Sequence, residues 1–126
     1  MATIWETLKA GRQFAEDCMT SISRTNNGNI VLGNRTQAFK QYQVCISVEG
    51  YNRPARGVDS VELSFNCYDE TIAGSCELAQ SIVDALPSNM IYTYDEKKYT
   101  LTFSDLYQDV PDNDFYKTSV SVRFVS

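Results

Sequence analysis

Four aspartates, Asp105, Asp109, Asp112 and Asp114, crowd the stretch SDLYQDVPDND. Oxygen-rich clusters of this kind are where calcium or magnesium chemistry is first sought. The spacing does not carry it. An EF-hand loop needs ligands at alternate positions, a central glycine and a closing glutamate, and this stretch has neither glycine nor glutamate. It reads as a solvated acidic loop, one suited to an interface, and no metal site is expected.

The remaining reactive side chains offer catalysis no better start. Cys18, Cys45, Cys67 and Cys76 lack the close pairing of a zinc site and the density of a secreted disulfide scaffold, and they read as free thiols that mostly pack as small hydrophobes. The chain contains no histidine, which removes the commonest general base and the commonest transition-metal ligand together. Its serines and cysteines have no histidine partner and no Gly-x-Ser-x-Gly elbow, and no glycine-rich phosphate cradle occurs. The expectation is a protein that is not an enzyme, uses no cofactor, and works through its surfaces.

A second concentration of charge is basic. In GYNRPARG, Gly50 to Gly57, two arginines and a tyrosine join the strands expected on either side, over a length greater than an ordinary hairpin loop. It reads as an exposed linker or as a projecting arm that grips a neighbouring subunit. Under the second reading the contact residues are Tyr51, Arg53 and Arg56 of the arm and Asp109 and Asp112 of the acidic loop, because a guanidinium can hold a carboxylate with two hydrogen bonds. The whole chain is acidic, with a formal net charge of -5 and a pI near 4.6. Such a surface repels nucleic acid, so no specific DNA binding is expected, although DNA could slide through an acidic conduit without sticking.

Composition and pattern indicate what positions these residues. A length of 126 residues, 43% of them hydrophobic and 21% charged, suits one domain, and no apolar run approaches the ~20 residues that cross a bilayer. The start of the chain lacks the features of a secretory signal, which predicts synthesis in the cytoplasm. Thr3 and Glu6 have capping-box spacing and open a helix expected to run to about Ile22, with Ile4, Leu8, Phe14, Ala15, Cys18, Met19 and Ile22 as its apolar stripe. Gly11 interrupts that stripe, as either a close helix crossing or simple tolerance of glycine would allow. Ile30 to Leu32 fits a short strand, Ala38 to Glu49 a longer one, and Val58 to Cys67 a strand whose Val61, Leu63, Phe65 and Cys67 share a buried face. Asp69 and Thr71 then cap a second helix reaching to about Leu86, before Pro87. Met90 to Tyr94 and Tyr99 to Phe103 flank a polar turn of four residues, Asp95 to Lys98, and Phe115 to Val125 forms the last strand. The expected class is α+β, with two main helices on a mainly antiparallel mixed sheet; Tyr68, on its outward face, could anchor a partner.

Taken together, the helix IWETLKAGRQFAEDC, the strand QYQVCISVEG, the strand VDSVELSFNCYDE running into the helix TIAGSCELAQSIVDALPS, and the closing strands resemble the tail terminator and tail-completion proteins of long-tailed bacteriophages. The resemblance is one of element order and residue texture over nearly the full chain. It implies a virion structural subunit that forms a homomeric, hexameric ring capping the tail tube protein and meeting the head-tail connector, assembled in the host cytoplasm. The alternatives are a head-completion or stopper protein or a minor capsid protein of the same connector, and, outside phages, a small cytosolic binding domain with a ferredoxin-like sheet. The absence of ligand spacing gives one prediction directly. Thermal melts with and without a chelator should superimpose, whereas a fall of many degrees on chelation would show that the stretch from Asp105 to Asp114 holds a cation.

Overall fold

The computed structural model of the chain describes residues 2–24, 29–34, 42–87, 90–109 and 115–126. Among them, two helices, α1 (Ile4–Ser21) and α2 (Ile72–Asp84), lie with six strands: β1 (Ile30–Leu32), β2 (Tyr42–Ala55), β3 (Val58–Asp69), β4 (Met90–Tyr94), β5 (Lys97–Gln108) and β6 (Tyr116–Val125). The strands form one mixed sheet in the order β1-β2-β3-β6-β5-β4. Only the β1–β2 pair is parallel; the other neighbours run antiparallel. The α+β expectation therefore holds.

Both helices cover the same face of the sheet. Val44 and Ile46 of β2, Leu63, Phe65 and Cys67 of β3, and Val120, Val122 and Phe124 of β6 share that face by register, and all are buried with Phe14 and Met19 of α1 and Leu78 and Ile82 of α2. Phe14 stands edge-on to Phe65, Tyr92 and Phe124, with ring centroids 6.1, 5.5 and 6.4 Å away, which is the favoured aromatic geometry. Gly11 supplies the close crossing. A Cβ built there would lie 2.6 Å from Leu63 Cδ1, so only hydrogen lets α1 sit this near the sheet. The buried stripe of α1 is shifted from the expected one: Thr7 and Gly11 are buried, while Ile4 is 40% exposed and Leu8 half-buried.

The helix ends are set by local chemistry. The Thr3 hydroxyl accepts from the Glu6 amide at 3.1 Å and Glu6 returns a bond to the Thr3 amide at 2.9 Å, completing the capping box. At the far end Ser23 adopts φ +59, and the amides of Ser23 and Arg24 donate to the carbonyls of Thr20 and Met19. This is a Schellman ending with serine where glycine is usual. It aims Arg24 at α2 and β3, where it meets Asp69 Oδ2 at 3.4 Å and Glu77 Oε1 at 3.2 Å. Asp69 in turn accepts from the Thr71 amide and hydroxyl, and Thr71 caps Gly74.

Three expected boundaries move. The strand expected to end at Glu49 continues to Ala55, so Gly50 to Gly57 is not a loop: Tyr51 pairs with Val61, Asn52 with Ser60 and Ala55 with Val58, and only Arg56 and Gly57 turn the chain. Irregularities at Val48/Gly50 and Asn52/Ala55 absorb a glycine and a proline that regular pairing would reject. Its expected start, residues 38–41, lies outside the described residues. The turn expected over Asp95 to Lys98 contains only Asp95 and Glu96, at φ +51 and +64, the geometry of a type I′ hairpin. Likewise β5 runs through Gln108, so the first part of the expected acidic loop is strand.

Phe65 is fully buried, and Phe65→Ala should lower stability by ~3–5 kcal/mol in denaturant titration. Gly74→Ala should destabilise by about 1–3 kcal/mol although alanine is the better helix former, since its Cβ would lie 2.2 Å from Asp69 Cγ. A gain in stability for Gly74→Ala would contradict the Asp69 packing.

Candidate assembly surfaces

The register leaves two stretches of strand without a neighbour among the described residues. β1 covers β2 only at Val44 to Ile46, so the outer edge of β2 is open from Ser47 to Ala55. β4 covers β5 only from Lys97 to Leu101, so β5 is open from Phe103 to Gln108 on the side away from β6. The two openings lie on opposite margins of the sheet and at opposite ends of the strands. Each is bordered by exposed apolar side chains: Val48 and Tyr51 on β2, with Ile4 of α1 beside Tyr51 across a depression of about 410 Å³, and Phe103, Leu106 and Tyr107 on β5.

The arm is organised by a residue the sequence did not single out. Asp59 is 3% exposed, and its Oδ1 accepts from the Tyr51 hydroxyl at 2.9 Å and from Arg53 Nε at 3.0 Å, while Arg53 Nη2 donates to the same hydroxyl at 2.9 Å. Burial pushes the Asp59 carboxyl up, but those two hydrogen bonds and the guanidinium charge outweigh it and hold the group below the usual carboxylate range. Arg53 keeps 60% of its side chain exposed, and Arg56 stands exposed at the turn. Tyr51, Arg53 and Arg56 thus come together on one ribbon.

Asp109 lies across the sheet from them. Its carboxylate meets Lys117 Nζ at 3.0 Å, and that ammonium stands 5.9 Å from the centre of the Tyr68 ring. Burial draws the Lys117 pKa down, yet the bond to Asp109 and nearby charge raise it overall. Asp112 lies outside the described residues. Among the described residues, Asp105 and Asp109 are therefore not brought to the arm within one chain, since β3 and β6 separate their strands. Asp105, on the open edge of β5, folds its carboxylate onto the Leu106 amide at 2.8 Å.

The face of the sheet opposite the two described helices is polar and curled. Small serines at its centre, Ser64, Ser119 and Ser121, let longer side chains from the flanks close over them. Glu49 reaches from β2 to the Ser121 hydroxyl at 2.6 Å and is touched by the Tyr107 hydroxyl from β5 at 3.4 Å. Asn66 accepts from Ser64 and Ser119 and donates to the Cys45 carbonyl. A polar cleft of about 300 Å³ remains between Glu49, Asn66, Tyr68, Tyr107 and Lys117. Its polar groups are largely engaged with one another.

Burial pushes the Cys18 thiol up to about 12 and the Cys67 thiol well above its ordinary range, so neither offers a thiolate near neutrality. Among the described residues no group of three or more His, Cys, Asp or Glu side chains is placed to hold a metal, and no helix is long and apolar enough to cross a membrane. Compared with known proteins, the chain matches no family model and no curated sequence.

Because the folded pKa of Asp59 lies below its unfolded value, its contribution is present above the unfolded pKa and is lost as pH falls through the folded one. Asp59→Asn should therefore be less stable than wild type at about pH 6, and the gap should narrow as pH drops below roughly 4. A gap that stays constant across that range in urea titrations would show that the Tyr51, Arg53 and Asp59 cluster contributes nothing through its charge.

Proposed function

We propose that the chain is a structural subunit that closes into a homomeric ring, of the kind that caps the tail tube of a long-tailed bacteriophage and joins it to the head connector. The observation that supports this reading is the pair of dissimilar open edges on opposite margins of one sheet. A cyclic ring is built from heterologous contacts, in which each subunit offers two different surfaces that fit each other. A subunit with one such edge would stop at a dimer.

The order of elements resembles tail terminators, and the charge of the chain agrees with the same role. With a net charge of -5, the wall of a ring built from it would let DNA pass without holding it. The partners under this reading are further copies of the chain, the tail tube protein and the connector. The polar network on the open sheet face is a rigid surface rather than a reaction centre, since Glu49 and Asn66 are held by neighbouring side chains.

Native mass measurement tests the proposal. The purified chain, alone or with tail tubes, should give a single closed species at a multiple of its 14.2 kDa mass, sixfold if the tail-terminator resemblance holds. A protein that remains monomeric or stops at a dimer under both conditions would overturn it. Arg56→Glu leaves the Arg53–Asp59 pair intact, and exposed ion pairs contribute about 0–1 kcal/mol, so it should weaken each contact by roughly fivefold or less.

A further inference from the structure

The directions of the backbone groups on the two open edges allow one step further, which rests on the ring reading above. On β2 the Val44 amide donates outward to the Asn29 carbonyl and the Ile46 carbonyl accepts outward from Gly33, so alternate residues turn their polar backbone groups away from β3. By that alternation Val48 faces outward, and beyond the irregularity at Glu49 the outward residue is Tyr51. On β5 the Asp109 amide donates inward to the Lys117 carbonyl, so Gln108 and Leu106 face outward. Among the described residues the Leu106 amide accordingly has no strand to bond, and the Asp105 carboxylate caps it.

We infer that the open edge of β5 receives the open edge of β2 from a second copy of this chain, as an antiparallel added strand with Tyr51 of one copy opposite Leu106 of the other. Strand direction permits it: β2 and β5 run in opposite senses within the sheet, so a sheet continued from one subunit into the next brings them together antiparallel. Parity permits it as well. Tyr51 and Leu106 both direct backbone groups outward and both side chains toward the helix-bearing face, where Tyr51 shares its side with Val61 and Leu106 with Val120. Opposed residues in an antiparallel pair share a face, so two aromatic and aliphatic side chains now 45% and 41% exposed would cover each other.

Length is compatible. In this register Ala55 falls opposite Thr102, so the Arg56 and Gly57 turn abuts β4, whose first residue, Met90, pairs with Leu101, and the incoming β1 lies past Gln108. The Asp105 carboxylate must leave the Leu106 amide for the added strand to bond there. The capped amide keeps the edge from pairing indiscriminately in the lone subunit, a device common on exposed strands.

Asn52 and Asp105 become a closely spaced, non-hydrogen-bonded pair in this register, with Cα atoms ~4.5 Å apart, inside the range a disulfide spans. The test is Asn52→Cys together with Asp105→Cys in a Cys76→Ser background, since Cys76 is exposed. Mild oxidation should yield covalent multimers larger than a dimer, and neither single variant should do so. Products that stop at dimers would mean a two-fold contact and overturn the inference. No cross-linking while native mass still shows a ring would overturn the strand pairing and leave the ring reading standing; no cross-linking and no ring would remove both. As an independent check, Leu106→Lys should keep the thermal melt of the subunit and reduce the ring population at least tenfold, and an unchanged population would likewise overturn the inference.

Discussion

The buried carboxylate of Asp69 is the constraint on which the arrangement of the chain depends. It sits at the end of β3, 7% exposed, and gathers the Thr71 amide and hydroxyl, the Arg24 guanidinium and the bare backbone of Gly74. A carboxylate taken out of water must be met by donors and opposite charge, or it destabilises the fold. Here one group sets the start of α2 and, through Arg24, the end of α1, while Arg24 also lies 5.3 Å from the centre of the Tyr42 ring and binds Glu77. Both helices are thereby committed to one face of the sheet. The other face is left to polar side chains, and its margins are left to strands.

That division explains the character of the remaining surface. The uncovered face does not need apolar packing, because its residues bond to one another: the serines at its centre are small enough for the sheet to curl, and Glu49 spans from β2 to β6 across the curve. The margins are different. Strands of unequal length leave β2 and β5 overhanging their short neighbours β1 and β4, and an overhang exposes backbone donors and acceptors that a soluble subunit must cap, charge or pair. Capping is visible at Asp105 and charge at Arg53 and Arg56. The apolar residues beside both overhangs are what turn a tolerated edge into a candidate contact.

Much of this fold was legible in the sequence because local pattern and tertiary structure agree. Thr3 and Glu6 marked the first helix, Pro87 bounded the second, and the alternation of Val61, Leu63, Phe65 and Cys67 identified the face that carries the core. What escaped was decided by partners distant in sequence. Gly50 to Gly57 has the composition of a loop, and pairing with Val58 to Glu62 makes its first six residues, through Ala55, strand, as happens when context overrides intrinsic preference. Asp95 and Glu96 form a turn usually announced by glycine, and Ser23 ends α1 in a conformation that glycine or asparagine ordinarily supplies. Tyr51, Arg53 and Arg56 lie on one ribbon, but Asp59, the buried acid that positions two of them, carried no signal beyond being one of 16 acidic residues. The Asp109–Lys117 pair depends on strand register, which no spacing rule reveals.

In the proposed ring, the two open edges must be occupied together. Hydrogen exchange measured on dilute and concentrated protein addresses this most directly, since added strands protect the amides they bond. The outward-facing amides among residues 47–55 and 103–108 should slow together as the ring forms, while those of β1 and β4 stay as they were. Protection confined to one of the two stretches, or identical exchange at every concentration that forms a ring, would contradict it.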